Sequence, residues 1–552
     1  MSGNLFRVFT VVLGCAGGGL LAAQHNAPAE PSSYAVPFQS FVKPEPIQPG
    51  KFSPDWNSLK QYQVPEWFRD AKFGIWAHWG PQCQPEQGGW YARTIYLKGN
   101  LPSQRYGDLK KVGFKEVIND WKAEKWDPNR LVELYKRVGA QYFFAMANHH
   151  DNMDLWDSKY QPWNSVNMGP KKDLIAGWAE AARKQGLRFG VSVHAAHAWS
   201  WYEPAQDFDG KLTKADGKGT WWEGYDPQNL YEQNHVPGAD YRNAKTMGAY
   251  WDWGNGCSQP DRAYCERFYN RTMDLINKYR PDMVYFDDSV LPLYPVSDLG
   301  LAIAAHLYNS SMQWQKERTG ILPGNADAVL FGKKLDDKQR QCLVWDIERG
   351  VSSAVEPFPW QTDTCIGSWH YKRAVYTTGS YKSAKTVIQM LVDIVSKNGN
   401  LLLNIPVRGD GSIDDKEEAL LEDIAAWMDV NKECIFGTRP WKIFGEGAAY
   451  TDAPLKAAGF NEGKGKAFTA ADIRFTTKGD VLYVIALGRP DKQICVKSLG
   501  SSSSLMDKKI QSVQLVNSAV KISWEQKADG LVIEPPADGT SDIATVFKLV
   551  LK

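Results

Sequence analysis

Two adjacent carboxylates, Asp287 and Asp288, close the apolar run Met283-Val284-Tyr285-Phe286. A short apolar run that follows a helical stretch and Pro281 reads as a buried parallel strand. In parallel α/β architectures ligands bind beyond the carboxyl ends of the strands, so an acid there is placed for chemistry. The plainer role for such an acid is a helix N-cap. The same kind of position recurs along the chain. His78 follows Lys72–Ala77, His149 and His150 follow Tyr142–Ala147, His194 follows Arg188–Val193 with His197 nearby, and Glu348 follows Cys342–Ile347. Five of the nine histidines therefore fall at or just after the first three strands, which makes a polar pocket rather than scattered core or surface histidines. Two carboxyl groups in such a pocket can divide acid and base work. Neutral imidazoles can hold hydroxyl groups as donor or acceptor. Zinc ligation is the alternative for a His/Asp set. Against it, there is no i, i+4 histidine pair, and neighbours His149 and His150 on a strand end are expected to point in different directions.

The elements that must carry these residues alternate. Helical periodicity covers Pro128–Val138, Leu174–Gln185, Thr272–Tyr279, Ala302–Arg318, Lys385–Ser396 and Asp414–Asn431. Gly320–Asn325 is expected as a fifth strand, Cys342–Ile347 as a sixth and Asn400–Pro406 as the last. Strands alternating with helices imply a parallel sheet, and this number of them a (β/α)8-like barrel over residues 56–437, irregular where helices are weak. A long polar, aromatic loop is expected from Ala195 to about Pro260. From about Thr438 short runs take over: Ile473–Thr476, Val481–Leu487, Ile510–Val516 and Ala544–Leu551. They predict a C-terminal β-sandwich over 438–552, of ordinary size, whose expected role is to brace the barrel.

Composition narrows the function classes. The 552 residues carry 64 basic and 63 acidic side chains, net +1, with no basic patch, which argues against a nucleic-acid partner. The 23 tryptophans suit sugar-stacking clefts and plain cores equally. Residues 1–23 have the form of an export signal: Val8–Ala23 is almost wholly apolar and Leu21-Ala22-Ala23 offers a cleavage site. The run is short for a membrane span. Val12-Leu13-Gly14-Cys15 offers a second reading, a lipid on Cys15, although Leu13 is not the usual residue there. Residues 24–55 are Pro- and Ser-rich and read as a linker or extended arm. Export permits disulfides. Without Cys15 seven cysteines remain, an odd number, and Cys257 and Cys265 are the pair near enough in sequence to bridge.

Seven segments in order, between residues 67 and 406, resemble glycoside hydrolase family 29, the α-L-fucosidases: FGIWAHWG at 73–80, HHDN at 149–152, KKDLI at 171–175, FGVSVH at 189–194, PDMVYFDD at 281–288, SWHY at 368–371 (the family has SWGY) and NGNLLLNIP at 398–406. The resemblance implies a retaining exo-fucosidase acting on terminal fucose of glycans without a cofactor or metal, and it places the nucleophile at Asp287. Asp288 keeps the helix-cap role. The acid/base is not set by one motif. Where many relatives have a glutamate, this chain has Gln361, which cannot transfer a proton. Glu348 is therefore the expected acid/base and Glu356 the runner-up; the competing role for Glu348 is a surface ion pair with Arg349. His78, His149 and His150 match hydroxyl-binding histidines, His194 lies near a position close to the nucleophile, and Trp90 matches the Trp of a Glu-Trp-Tyr motif. Gly89 replaces that motif's glutamate, so an acceptor for sugar hydroxyls is missing, with His194 or His197 as candidates to supply it. Trp360 and Trp369 are candidates for contact with the sugar's methyl group. The alternatives are a relative acting on α-L-galactosides and a catalytically inactive fucose-binding protein.

Overall fold

The computed structural model describes residues 44–97, 108–109, 112–239, 241, 253, 257–451 and 460–552. The segment read as an export signal, with Cys15, lies outside them. Eight strands, β1 (Phe73–Ala77), β2 (Tyr142–Asn148), β3 (Arg188–Val193), β4 (Met283–Phe286), β5 (Val329–Gly332), β6 (Val344–Glu348), β7 (Trp360–Cys365) and β8 (Gly399–Asn404), close into a parallel barrel. β1 completes the ring against β8, with Gly74 opposite Leu402. The helices between strands begin where the sequence offers an acceptor for their first N–H groups: Asp127, Asp173, Asp261 and Ser383 cap Pro128–Arg137, Leu174–Lys184, Arg262–Tyr279 and Ala384–Ser396.

Strand alternation fills the barrel. Trp76, Tyr142, Phe144, Met283, Tyr285, Val329, Phe331, Val344 and Leu402 form one buried interior cluster. Two glycines make room for its rings. A Cβ on Gly74 would lie 2.1 Å from the Tyr142 ring, and one on Gly190 would lie 2.6 Å from Phe144. Residues two positions beyond an inward ring face inward again, at the carboxyl mouth. Trp76 thus leads to His78, Tyr285 to Asp287 and Phe331 to Lys333.

Three expectations change. The fifth strand is Val329–Gly332, not Gly320–Asn325. Gly320 caps the helix Leu299–Thr319 in a left-handed conformation, and Ile321 and Leu322 are exposed on the connection that follows. β7 carries no apolar run, because its inward residues Gln361 and Asp363 are polar. They hydrogen-bond inside the barrel: Tyr142 donates to Gln361 Oε1 (3.0 Å), Gln361 Nε2 to Asp346 Oδ1 (3.1 Å) and Tyr285 to Asp363 Oδ2 (2.7 Å). The stretch after β3 is not a plain loop. It folds into short helical turns between Ala195 and Tyr231 that bury Trp201, Tyr202 and Leu230. A buried network anchors it, in which Asp209 takes Lys115 (3.1 Å), Tyr96 (2.7 Å) and Tyr231 (2.6 Å).

Residues 45–52 lie along the barrel helices: the Glu45 amide donates to Asn270, the Gln48 amide to His306 and the Phe52 amide to Asn309. Cys265 is a buried free thiol, so the bridge to Cys257 is not formed. Beyond the barrel, a five-stranded antiparallel sheet (Ile510–Leu515, Thr545–Leu551, Val481–Ala486, Ile473–Lys478, Arg439–Glu446, in spatial order) faces a three-stranded one (Ile494–Val496, Gly530–Glu534, Ser523–Lys527). Their shared core of Phe475, Val484, Phe547, Val496, Leu531 and Ile533 makes this a β-sandwich. No helix among the described residues is long and apolar enough to cross a membrane.

The barrel interior yields a stability test. Gly74→Ala forces a methyl into the Tyr142 ring, an overpacking cost of about 1–3 kcal/mol. Thermal unfolding should shift clearly downward; an unchanged midpoint would show that the ring yields freely.

Candidate active site

The barrel mouth opens into a cavity of about 700 Å³. Its lining includes His78, Trp90, His149, His150, His194, Asp287, Glu348 and Trp369. These candidates from the sequence thus meet here; of the two tryptophans offered for the methyl contact, Trp369 lines the cavity and Trp360 does not. Trp360 begins β7 at the opposite end of the barrel, 1 % exposed, facing outward with its indole donating to the Lys397 carbonyl (2.8 Å). Alternation makes this necessary, since Gln361 and Asp363 take the inward positions. Glu356 also lies away from the cavity, bound to Arg340 (3.1 Å) and Ser352. His149 and His150 both reach the cavity, with ring centroids 4.4 Å apart. The chain leaves β2 at Asn148, so alternation no longer separates them.

The centre is a cation that sequence reasoning missed. Lys333 follows β5 and holds Asp287 Oδ1 at 2.8 Å and Glu348 Oε2 at 2.6 Å. Glu348 therefore pairs with Lys333 and not with Arg349, which pairs with Glu462. The other oxygen of Asp287 meets His194 Nδ1 at 3.1 Å and His150 Nε2 at 3.5 Å. Burial pushes the Asp287 carboxyl upward, but the Lys333 ammonium and the two imidazoles outweigh it and hold it well below the usual carboxylate range. An ionised Asp287 assigns the Nδ1 proton to His194, whose Nε2 then accepts from Ser192 Oγ (3.0 Å). Glu348 goes the other way. Loss of solvent, with Asp363 and Asp287 nearby, lifts it to about 7 in spite of Lys333. Two further acids, Asp346 and Asp363, lie below and are raised by burial.

Asp288 does not cap a helix. Its Oδ1 accepts from the Ser289 amide (2.7 Å), its Oδ2 from the Leu293 amide (2.8 Å), and His197 Nε2 lies 3.2 Å from it. It shapes the turn after β4, while Asp298 begins the next helix. Trp90 stands in a left-handed conformation (φ 73°) on the rim, edge-on to Trp201. The second rim aromatic, Phe460, comes from beyond the barrel. Neither Lys333 nor Phe460 carries a strand-end signal in the sequence as read.

His78, His149 and His370 bring three nitrogens within 4.8 Å of one another, the one group among the described residues with metal-ligand spacing. The donor set does not fit. The Ala92 amide donates to Gln82 Oε1 (3.3 Å), which turns the Gln82 NH2 toward His149 Nδ1 (2.9 Å). His149 Nδ1 is then an acceptor and Nε2 carries the proton. A zinc ligand needs the reverse: a bare nitrogen toward the metal and its other N–H on an acceptor. All three imidazoles are neutral, since burial lowers their pKa, that of His370 to about 3. They suit hydroxyl groups.

A barrel mouth with two unequally titrating carboxyl groups, a wall of neutral histidines and rim aromatics is the site of a glycoside hydrolase. The α-L-fucosidase family model matches residues 40–433. The tissue α-L-fucosidase of Mus musculus is 24% identical over 519 residues, covering 92% of this chain and 95% of its own. The Thermotoga maritima α-fucosidase structure in complex with fucose aligns with a TM-score of 0.63 at 24% identity, over 90% of this chain and 100% of that one. A Bacteroides thetaiotaomicron family 29 α-L-fucosidase, solved as a trapped covalent intermediate, aligns at 0.57 and 17% identity, over 92% and 100%. The chain belongs to the α-L-fucosidase family.

The histidine assignment has a direct test. Dialysis against a strong chelator should leave hydrolysis of an aryl α-L-fucoside unchanged. A loss that added zinc restores would mean that the three imidazoles hold a metal after all.

Proposed function

We propose that the protein is a retaining exo-α-L-fucosidase, with Asp287 as nucleophile and Glu348 as acid/base. The observation that carries the reading is the Lys333 bridge. One ammonium at 2.8 Å and 2.6 Å from the two carboxyl groups keeps the bridged oxygens within about 5.5 Å of each other, the spacing of retaining pairs and less than inverting pairs need for a water between them. Asp287 attacks the anomeric carbon as the bond to the leaving oxygen breaks, and Glu348 gives that oxygen its proton. The sugar is then an ester of Asp287. Water attacks the same carbon, Glu348 takes the water's proton, and fucose leaves with Asp287 ionised again. The related Bacteroides enzyme, trapped as a covalent intermediate, supports such a route.

His78, His149 and His150 are assigned to the sugar hydroxyls, His194 to holding Asp287, and Trp90 to the rim. Trp369 or Phe460, not Trp360, takes the apolar contact with the methyl group. An α-L-galactoside differs only by a hydroxyl on that methyl, which an apolar contact rejects weakly, so it is the natural competing substrate. Export rests on the apolar segment Val8–Ala23; mass spectrometry of the mature N-terminus tests it, and a retained Met1 in the processed protein would refute it.

Asp287→Ala should lose most turnover, and azide should restore a fucosyl azide. Glu348→Ala should slow natural glycans by roughly 10²–10⁴-fold while sparing activated aryl fucosides. Normal glycan hydrolysis by that variant would remove Glu348 from the role.

The pH profile follows from the same pair. kcat/KM needs Asp287 ionised and Glu348 protonated, so it should fall as pH rises through about 7. Lys333→Met removes the cation that favours both anions, so both pKa values rise. Both limbs of the profile should then move to higher pH while the maximum falls. Limbs left in place would mean that Lys333 does not set the two charges.

A further inference from the structure

Two of the places where this chain departs from its family's motifs touch in space. Gly89 stands for the glutamate of Glu-Trp-Tyr, and His370 stands for the glycine of Ser-Trp-Gly-Tyr. An ideal Cβ on Gly89 would have one neighbour within 4 Å, His370 Nδ1 at 3.3 Å. The main chain holds the two segments together. The Gly88 amide donates to the Tyr371 carbonyl (3.1 Å), the Arg373 amide to the Glu86 carbonyl (2.9 Å), and Gln87 pairs antiparallel with Lys372. His370 is fully buried, and neither ring nitrogen has a partner. It stands edge to face against His78 and His149, with both centroids at 4.7 Å. Those two line the cavity, and both nitrogens of His78 are also unpartnered.

The two histidines offered as substitutes for the missing acceptor are committed. His194 serves Asp287 and Ser192, and His197 faces Asp288 and stacks on Trp253. Neither can replace the missing glutamate. Buried polar atoms without partners are costly, and such a cluster persists where a ligand satisfies it.

We infer that Gly89 and His370 are a compensating pair that sets sugar recognition: His370 takes the space a side chain at 89 would need and positions the His78–His149 wall, so that sugar hydroxyls meet neutral imidazoles where a relative would present a carboxylate. The inference rests on the proposed recognition of a fucosyl group at this site, and not on its turnover. His370 is a positioning residue, because it acts through His78 and His149.

The test is a cycle of His370→Gly, Gly89→Glu and the double variant. It reads kcat and KM on an aryl α-L-fucoside, L-fucose binding by calorimetry, and thermal midpoint. His370→Gly should raise KM and the fucose Kd by about tenfold, the worth of a lost hydrogen bond, with a smaller effect on kcat. Gly89→Glu should weaken binding in the native background, where it meets His370, and restore it in the His370→Gly background. That reversal of sign is something a purely structural role would not produce. The same effect of Gly89→Glu in both backgrounds, or a His370→Gly variant within twofold of wild type, would overturn the pair. If His370→Gly does not fold, His370→Asn and His370→Leu stand in for it. Asn keeps a polar group and should bind fucose more tightly than Leu; equal binding would overturn the proposal. Wild-type protein that binds L-fucose without turnover would remove the proposed hydrolysis while leaving the recognition pair standing.

Discussion

Everything at the barrel mouth is arranged around the Lys333 ammonium. It is one positive charge among Asp287, Glu348, Asp346 and Asp363, in a site largely closed to water. Four ionised carboxylates around one cation could not be sustained there. The protein resolves this by unequal protonation. Asp287 keeps its charge because two imidazoles add donors to what Lys333 supplies. Glu348 shares the same cation, but among the described residues no imidazole pairs with it, and loss of solvent and its acidic neighbours prevail. The difference between the two acids is thus a difference in their second partners, with the cation common to both.

The lower acids belong to the same account. Asp346 and Asp363 sit one strand apart, with Asp346 opposite Gln361 and Asp363 opposite Glu348. Tyr285 and Gln361 donate to them, and burial favours their neutral forms. This polar layer sits above the aromatic interior cluster. It costs hydrophobic contact in the barrel, and whenever Asp363 is ionised its charge pushes Glu348 further toward the protonated form. The proton donor proposed at Glu348 thus draws on the floor of the pocket as well as on its own side chain.

The sequence reveals most clearly what ends an apolar strand. Asp287, His78 and His194 follow runs whose outer and inner faces are both buried, so position alone marks them. The barrel was legible for the same reason. Lys333 was hidden because β5 is only four residues long and a nearby apolar pair, Ile321-Leu322, imitates it on the surface. β7 was hidden because its inward residues Gln361 and Asp363 are polar and hydrogen-bond inside the barrel, which leaves no hydrophobic period. Trp360 misled because residue type suggested a sugar contact, whereas inward or outward parity, fixed by its neighbours, decides where a strand side chain goes. Gly89 could be recognised as a departure, but its partner lies 281 positions away on another loop, a distance that no local pattern bridges.

The second domain also reaches the chemistry. The Phe460 amide donates to the Glu348 carbonyl (2.8 Å) and the Glu462 amide to the Arg349 carbonyl (3.0 Å), while Asn461 exchanges two side-chain bonds of 2.9 Å with the Val351 backbone. On the other side the Arg349 amide donates to the Asp363 carbonyl (2.9 Å). The main chain that carries Glu348 is therefore held from both flanks as β6 ends, with Arg349 in a left-handed conformation (φ 46°). Glu462 extends the clamp to Lys382 (2.6 Å) and Thr364 (2.7 Å). The role proposed for Glu348, giving a proton to one oxygen and later taking one from another, calls for a fixed backbone under a partly free side chain. The segment 460–462 supplies that constraint and places Phe460 on the rim, so the region beyond the barrel contributes to the site as well as to its support.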